Sequence, residues 1–117
     1  MNAKLGPVIA SRRYFRAGDV NPEVVVDVEI AAPVKSPDSD AFICSVRVNS
    51  PTADRIETVH GIDELQALLL AMGYLQAILH ELEKSSIGSL NWAGGEAQDY
   101  GIRIPQFWGE EPTRSSG

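Results

Sequence analysis

The segment from Gly61 to Gly88 carries a helix with both of its ends written into it. Asp63 can accept a hydrogen bond from an early backbone N–H, and Gln66, three positions on, can reach back to the cap, a capping-box arrangement. Asp63 and Glu64 place negative charge at the positive end of the helix dipole, and Lys84 places positive charge near the other end. Leu65, Leu68, Leu69, Met72, Leu75, Leu79 and Leu82 recur at steps of three and four residues. Ser85-Ser86-Ile87-Gly88 stops the pattern. The spacing predicts a helix over Glu64 to Lys84, about 31 Å long at the ordinary helical rise. With 117 residues in all, the chain has room for one domain around such a helix.

The residues before it read as strands. Val24, Val26, Val28 and Ile30 alternate with Val25, Asp27 and Glu29, so one face is apolar and the other wet. Phe42, Cys44, Val46 and Val48 repeat the pattern against Ser45, Arg47 and Asn49. Val8 to Arg16 reads as a strand of mixed face near an edge, and Arg55 to His60 as a fourth. Asn21-Pro22, the run from Pro33 to Asp40, and Ser50-Pro51-Thr52 are turn or loop signals. A short strand or turn at Leu90 to Glu96 and a last strand at Tyr100 to Pro105 follow the helix. These elements predict an α+β domain over residues 1–105: an antiparallel sheet of four to six strands with the long helix packed on one face. The valine faces, with Phe42 and Cys44, are expected to meet Leu65, Leu68, Leu69, Met72, Leu75 and Leu79. Residues 106–117 read as a partly disordered C-terminal tail.

The helix has more apolar surface than a sheet needs. Leu70, Ala71, Tyr74, Ala77 and Ile78 widen its arc beyond one stripe, and Gly73 permits close backbone approach. Either another element of the same chain, the segment from Ile87 to Phe107 folding back, or a second subunit must cover this surplus; the pattern predicts a homodimer or a protein partner, with the folded-back segment and a monomer as the rival.

Charge narrows the partners. Ten Lys and Arg stand against sixteen Asp and Glu, a net charge of −6. Residues 1–16 hold four bases and no acid, leaving six bases against sixteen acids in the rest. An acidic body argues against nucleic acid, whose phosphates need Lys and Arg. The longest apolar stretch, Ala67 to Leu75, is too short for a bilayer, which predicts no membrane role. The lone Cys44 and the absence of an apolar leader predict a cytoplasmic protein.

Chemical motifs are sparse. His60 and His80 are twenty positions apart, and no metal-ligand spacing, nucleophile elbow or phosphate loop appears. The reading is therefore of no catalytic residue, no metal and no cofactor. The candidate ligand or partner residues are His60, Asp63, Tyr74, Trp92 and Tyr100. His60 with Asp63 could orient an acid–base imidazole, and Trp92 with Tyr100 could line a pocket or anchor a partner. A small enzyme or small-molecule binder using the His60/Asp63 corner or the Trp92 region is the alternative to a non-enzymatic interaction module.

The run Gly61-Ile62-Asp63-Glu64-Leu65-Gln66-Ala67-Leu68, with Leu90-Asn91-Trp92 and Gly101-Ile102-Arg103-Ile104-Pro105 after it, resembles a family of small bacterial domains of unknown function. Their signature is G-[IV]-D-x-x-Q-A-L at the start of the long helix. The resemblance covers roughly residues 10–105 and implies no activity and no catalytic residue. In size and acidity the chain also resembles bacterial immunity proteins, an analogy of shape alone.

Overall fold

Alternating apolar and polar residues build the centre of an antiparallel sheet in the computed structural model, which describes residues 5–16, 24–92 and 102. Six strands and one long helix lie among them: β1 (Val8–Arg16), β2 (Val24–Ala31), β3 (Val34–Lys35), β4 (Phe42–Asn49), β5 (Asp54–Gly61), α1 (Glu64–Leu82) and β6 (Leu90–Asn91). β1, β2, β4 and β5 form an antiparallel meander. α1 then crosses back over the sheet and delivers β6 to the far side of β1. This is the α+β arrangement that the sequence predicts. The expected turn at Asn21-Pro22, residues 93–96 of the segment after the helix, the strand at Tyr100 to Pro105 apart from the buried Ile102, and the tail at 106–117 lie outside the described residues.

The run from Pro33 to Asp40 holds a short strand that the turn residues conceal. After Ala32 and Pro33 the chain resumes along β4 as β3, pairing Val34 with Ile43 and Lys35 with Phe42. Proline lacks a ladder donor, so the strand breaks there and restarts beyond it. Ser36 and Ser39 then close the turn by accepting bonds from the N–H groups of Asp38 and Ala41. Ser50 closes the β4–β5 hairpin, its N–H donating to the Ala53 carbonyl at 2.8 Å.

Val26, Val28, Cys44, Val46 and Val48 are buried on the helix side, with Ile30 and Phe42 half-buried beside them. The helix itself corrects the expected packing. Its buried stripe is Ala67, Ala71, Leu75, Ile78, Leu79 and Leu82. Leu65, expected in the core, is 64% exposed. Leu68 and Met72 are partly buried against the core, and Leu69 is half-buried. Ala71 and Ile78, read as surplus surface, belong to the interior.

The reason is distance. A Cβ built on Gly61 would lie 2.5 Å from the Ala67 nitrogen, so the first helical turns rest almost on the sheet backbone. Only alanine fits between such close layers, and Ala67 and Ala71 pack there with Cys44 and Val46. Farther along, Leu75, Ile78, Leu79 and Leu82 fill a second cluster with Tyr14, Val26, Val28, Val48 and Leu90. Each large aliphatic buried there contributes about 1.5–3 kcal/mol.

The helix stops two residues before the expected Lys84. A wider turn follows at Glu83–Ile87, in which Ser85 leaves helical geometry (ψ −127°). Its hydroxyl donates to the Leu82 carbonyl at 2.6 Å, taking up one of the free carbonyls of the last turn. Gly88, at φ +91°, turns the chain toward β6. By length and composition alone Glu64–Ser85 passes for a membrane span, yet here its inner stripe is filled by sheet side chains.

Candidate functional site

The strand-to-helix corner places two of the candidate residues. Asp63 is the N-cap, and its Oδ1 accepts from the Gln66 N–H at 2.8 Å. The Gln66 Oε1 accepts from the Ile62 N–H at 2.8 Å, closing the reciprocal box one residue before the cap. The carboxylate is thus committed to backbone donors. His60 is exposed on β5 and pairs with Ile43, on the sheet face away from the helix. Among the described residues no hydrogen bond or ion pair joins His60 to Asp63. The corner is a helix cap beside a shallow groove lined by Asp40, Ala41, His60 and Gln66.

Trp92 sits elsewhere, just beyond β6. β6 pairs with the end of β1, Phe15 opposite Asn91 and Arg16 opposite Leu90. That pairing carries the Trp92 ring under Arg12, whose guanidinium carbon lies 4.1 Å from the ring centroid. Such a stack contributes about 0.5–1 kcal/mol where exposed and more as water is excluded. The indole Nε1 is buried and has no hydrogen-bond partner among the described residues.

A cleft of about 150 Å³ lies along β1 on the same side of the sheet. Ala10, Tyr14, Val28, Ile30, Met72, Leu75 and Ile102 make it apolar, with Ser11 and Arg12 at its polar points. Tyr100, the expected companion of Trp92, lies outside the described residues. The sequence reading missed the Arg12 stack and the cleft, because both depend on a strand pairing that spans most of the chain.

Tyr74 stands apart from all of these, on the shoulder of α1 over β5. It is 39% exposed and neighbours Arg55. Arg55 reaches from β5 to Glu57 at 3.1 Å and to Glu81 of the helix at 3.6 Å. Along the same helix Leu65 and Leu70 are also exposed, as is Ile62 before the cap.

The sheet face away from the helix carries a charged network. Arg47 grips Asp54 with two bonds, 2.8 and 2.6 Å, and lies 3.6 Å from Glu29. Arg13 lies 3.6 Å from Asp27. The hydrogen bond from Arg47 holds the Asp54 carboxyl below the ordinary range, and the positive charge adds to it. Alternation along β2 and β4 already puts Asp27, Glu29 and Arg47 on one face, so this network was within reach of the sequence.

Cys44 is buried, and its thiol lies 3.4 Å from the Ala31 carbonyl, to which it donates. Desolvation pushes its pKa up, which suppresses the reactive thiolate. Among the described residues no group of three His, Cys, Asp or Glu side chains could hold a metal ion.

No curated protein and no solved structure matches the chain. A family model does, over residues 11–104, from the start of the β1 core to beyond the helix and Trp92. The match takes in the cap, all of the cleft lining but Ala10, and the stacked Arg12 and Trp92, and by it the chain belongs to the family described as Domain of unknown function (DUF6968).

Proposed function

We propose that this domain is a non-enzymatic protein-interaction module that pairs with a second copy through the outer face of α1. The observation that carries the reading is the exposure of Leu65, Leu70 and Tyr74 on a helix whose inner stripe is already filled. Leu69, Gly73 and Ala77 share that outer side at helical spacing, so apolar surface runs along it with little bulk at its centre. A two-fold contact would set the same patch against itself. Tyr74 would anchor the edge of the contact, its hydroxyl at the wet rim.

Sedimentation of the full chain at micromolar concentration tests this. The expected result is a dimer that Leu70→Glu and Tyr74→Glu each convert to monomer, because each buries an unpaired charge. A wild-type monomer, or a dimer indifferent to both changes, overturns the reading.

A further inference from the structure

Ile62 stands outside the packing of the fold. An apolar residue just before a helix cap ordinarily folds onto the fourth residue after the cap. That fourth residue here is Ala67, which is buried against the sheet, and Ile62 is 78% exposed. Its backbone is nevertheless held. The Ile62 N–H donates to the Gln66 Oε1 at 2.8 Å, and the next residue, Asp63, caps the helix. A large apolar side chain on a fixed backbone costs little in ordering when a partner covers it.

Ile62 lines the groove at the strand-to-helix corner, with His60, Gly61 and Gln66 beside it and Asp40 and Ala41 across from it. Phe42 opposite Gly61 ends the β4–β5 ladder, so the groove opens where the strands stop pairing. Its rim is acidic. Asp38 and Asp40 come from the turn between β3 and β4, Asp63 and Glu64 from the start of α1, and all four are exposed. Lys35 is the base beside them, 3.3 Å from Asp40. Arg47 and Arg55 sit toward the other end of the β4–β5 hairpin, where Arg47 pairs with Asp54 and Arg55 with Glu57 and Glu81. Negative charge around an apolar floor fits a segment that brings Lys or Arg beside a bulky apolar residue. A second copy of the same corner would set acids against acids, which is unfavourable.

We propose that the groove between Asp40 and Ile62 docks a short segment of a partner protein in which a large apolar residue is flanked by Lys or Arg. The apolar residue packs on Ile62 and Ala41, and the bases face the acidic rim. Ile62 lies before the cap, apart from Leu70 and Tyr74, so this reading and the pairing through the outer face of α1 stand or fall independently.

The probe is the fluorescein-labelled peptide Arg-Lys-Phe-Leu-Lys-Arg, titrated with the full chain and followed by anisotropy. One control peptide replaces Phe and Leu by Ser, and another replaces the four bases by Glu. The expected result is saturable binding of the probe, with each control weaker by about tenfold or more at low salt. Amide resonances of Asp40, Ala41 and His60 to Gln66 should shift on binding, while those of Val26 and Val28 stay in place. Ile62→Ser changes no charge and removes no core contact, so it should weaken binding by about tenfold at an unchanged melting temperature. Asp40→Lys should weaken the probe and strengthen the glutamate control, and the Leu70→Glu chain should bind the probe as the wild type does. No binding, or amide shifts that leave Ala41 and Ile62 in place, would overturn the proposal. So would equal binding of the probe and the serine control, or an Ile62→Ser chain that binds as the wild type does, since the attraction would then be long-range charge alone.

Discussion

Gly61 and Ala67 meet backbone to backbone: a Cβ on Gly61 would sit 2.5 Å from the Ala67 nitrogen and 2.8 Å from its Cα. No side-chain rotation relieves that overlap, so Gly61→Ala must push the start of α1 away from β5. The expected cost is about 1–3 kcal/mol, as for other overpacked cores. Chemical denaturation should show a lower midpoint at an unchanged slope. An unaltered midpoint would mean that the helix start yields freely.

Asp63 should be replaceable by another capping residue. Its Oδ1 satisfies the Gln66 N–H, and loss of such a cap costs about 0.5–2 kcal/mol. Thermal melts should place Asp63→Ala clearly below wild type and Asp63→Ser close to it. Equal loss in both variants would assign the carboxylate another role.

Cys44 makes two linked predictions. A thiol reagent should label it slowly in the native chain and rapidly after denaturation. Burial raises the folded pKa, so the folded chain keeps this proton longer than the unfolded chain does. The associated stability is complete below the ordinary thiol value of about 8.5 and declines as pH rises through the folded value. Replacement by Ala should flatten that alkaline decline, as read from denaturation midpoints across the pH range.

Asp54 acts in the opposite direction. Arg47 holds its carboxyl below the ordinary range, so its contribution is present above about pH 4 and is lost as pH falls through the folded value. A carbon-detected NMR titration should find the Asp54 carboxyl still ionised where ordinary aspartates are half protonated. Arg47→Met should return it to the ordinary range.

The strands and the cap were legible because each is a local rule. Val26, Val28, Val46 and Val48 alternate with polar neighbours, and one buried face enforces that period. Asp63 and Gln66 lie three residues apart and bond within one turn. The buried stripe of α1 was not legible, because leucines at steps of three and four fit more than one face. What decides the face is the gap between helix and sheet, and that gap is set by Gly61, Ala67 and Ala71, whose hydrophobic signal is the faintest in the segment. Arg12 and Trp92 lie eighty positions apart in the sequence, so their stack follows from topology and from no local pattern.

The pairing of β6 with β1 has a bearing on how the chain is made. The hairpins of the meander join neighbours, and each can form soon after its second strand leaves the ribosome. Phe15 and Arg16 instead wait for Asn91 and Leu90. At roughly 5–20 residues per second that end of β1 waits seconds for β6 to arrive. A nascent chain stalled short of Leu90 would hold the meander with the Phe15–Arg16 end of β1 still lacking β6, a form of this protein more exposed to clumping with its neighbours on the same message.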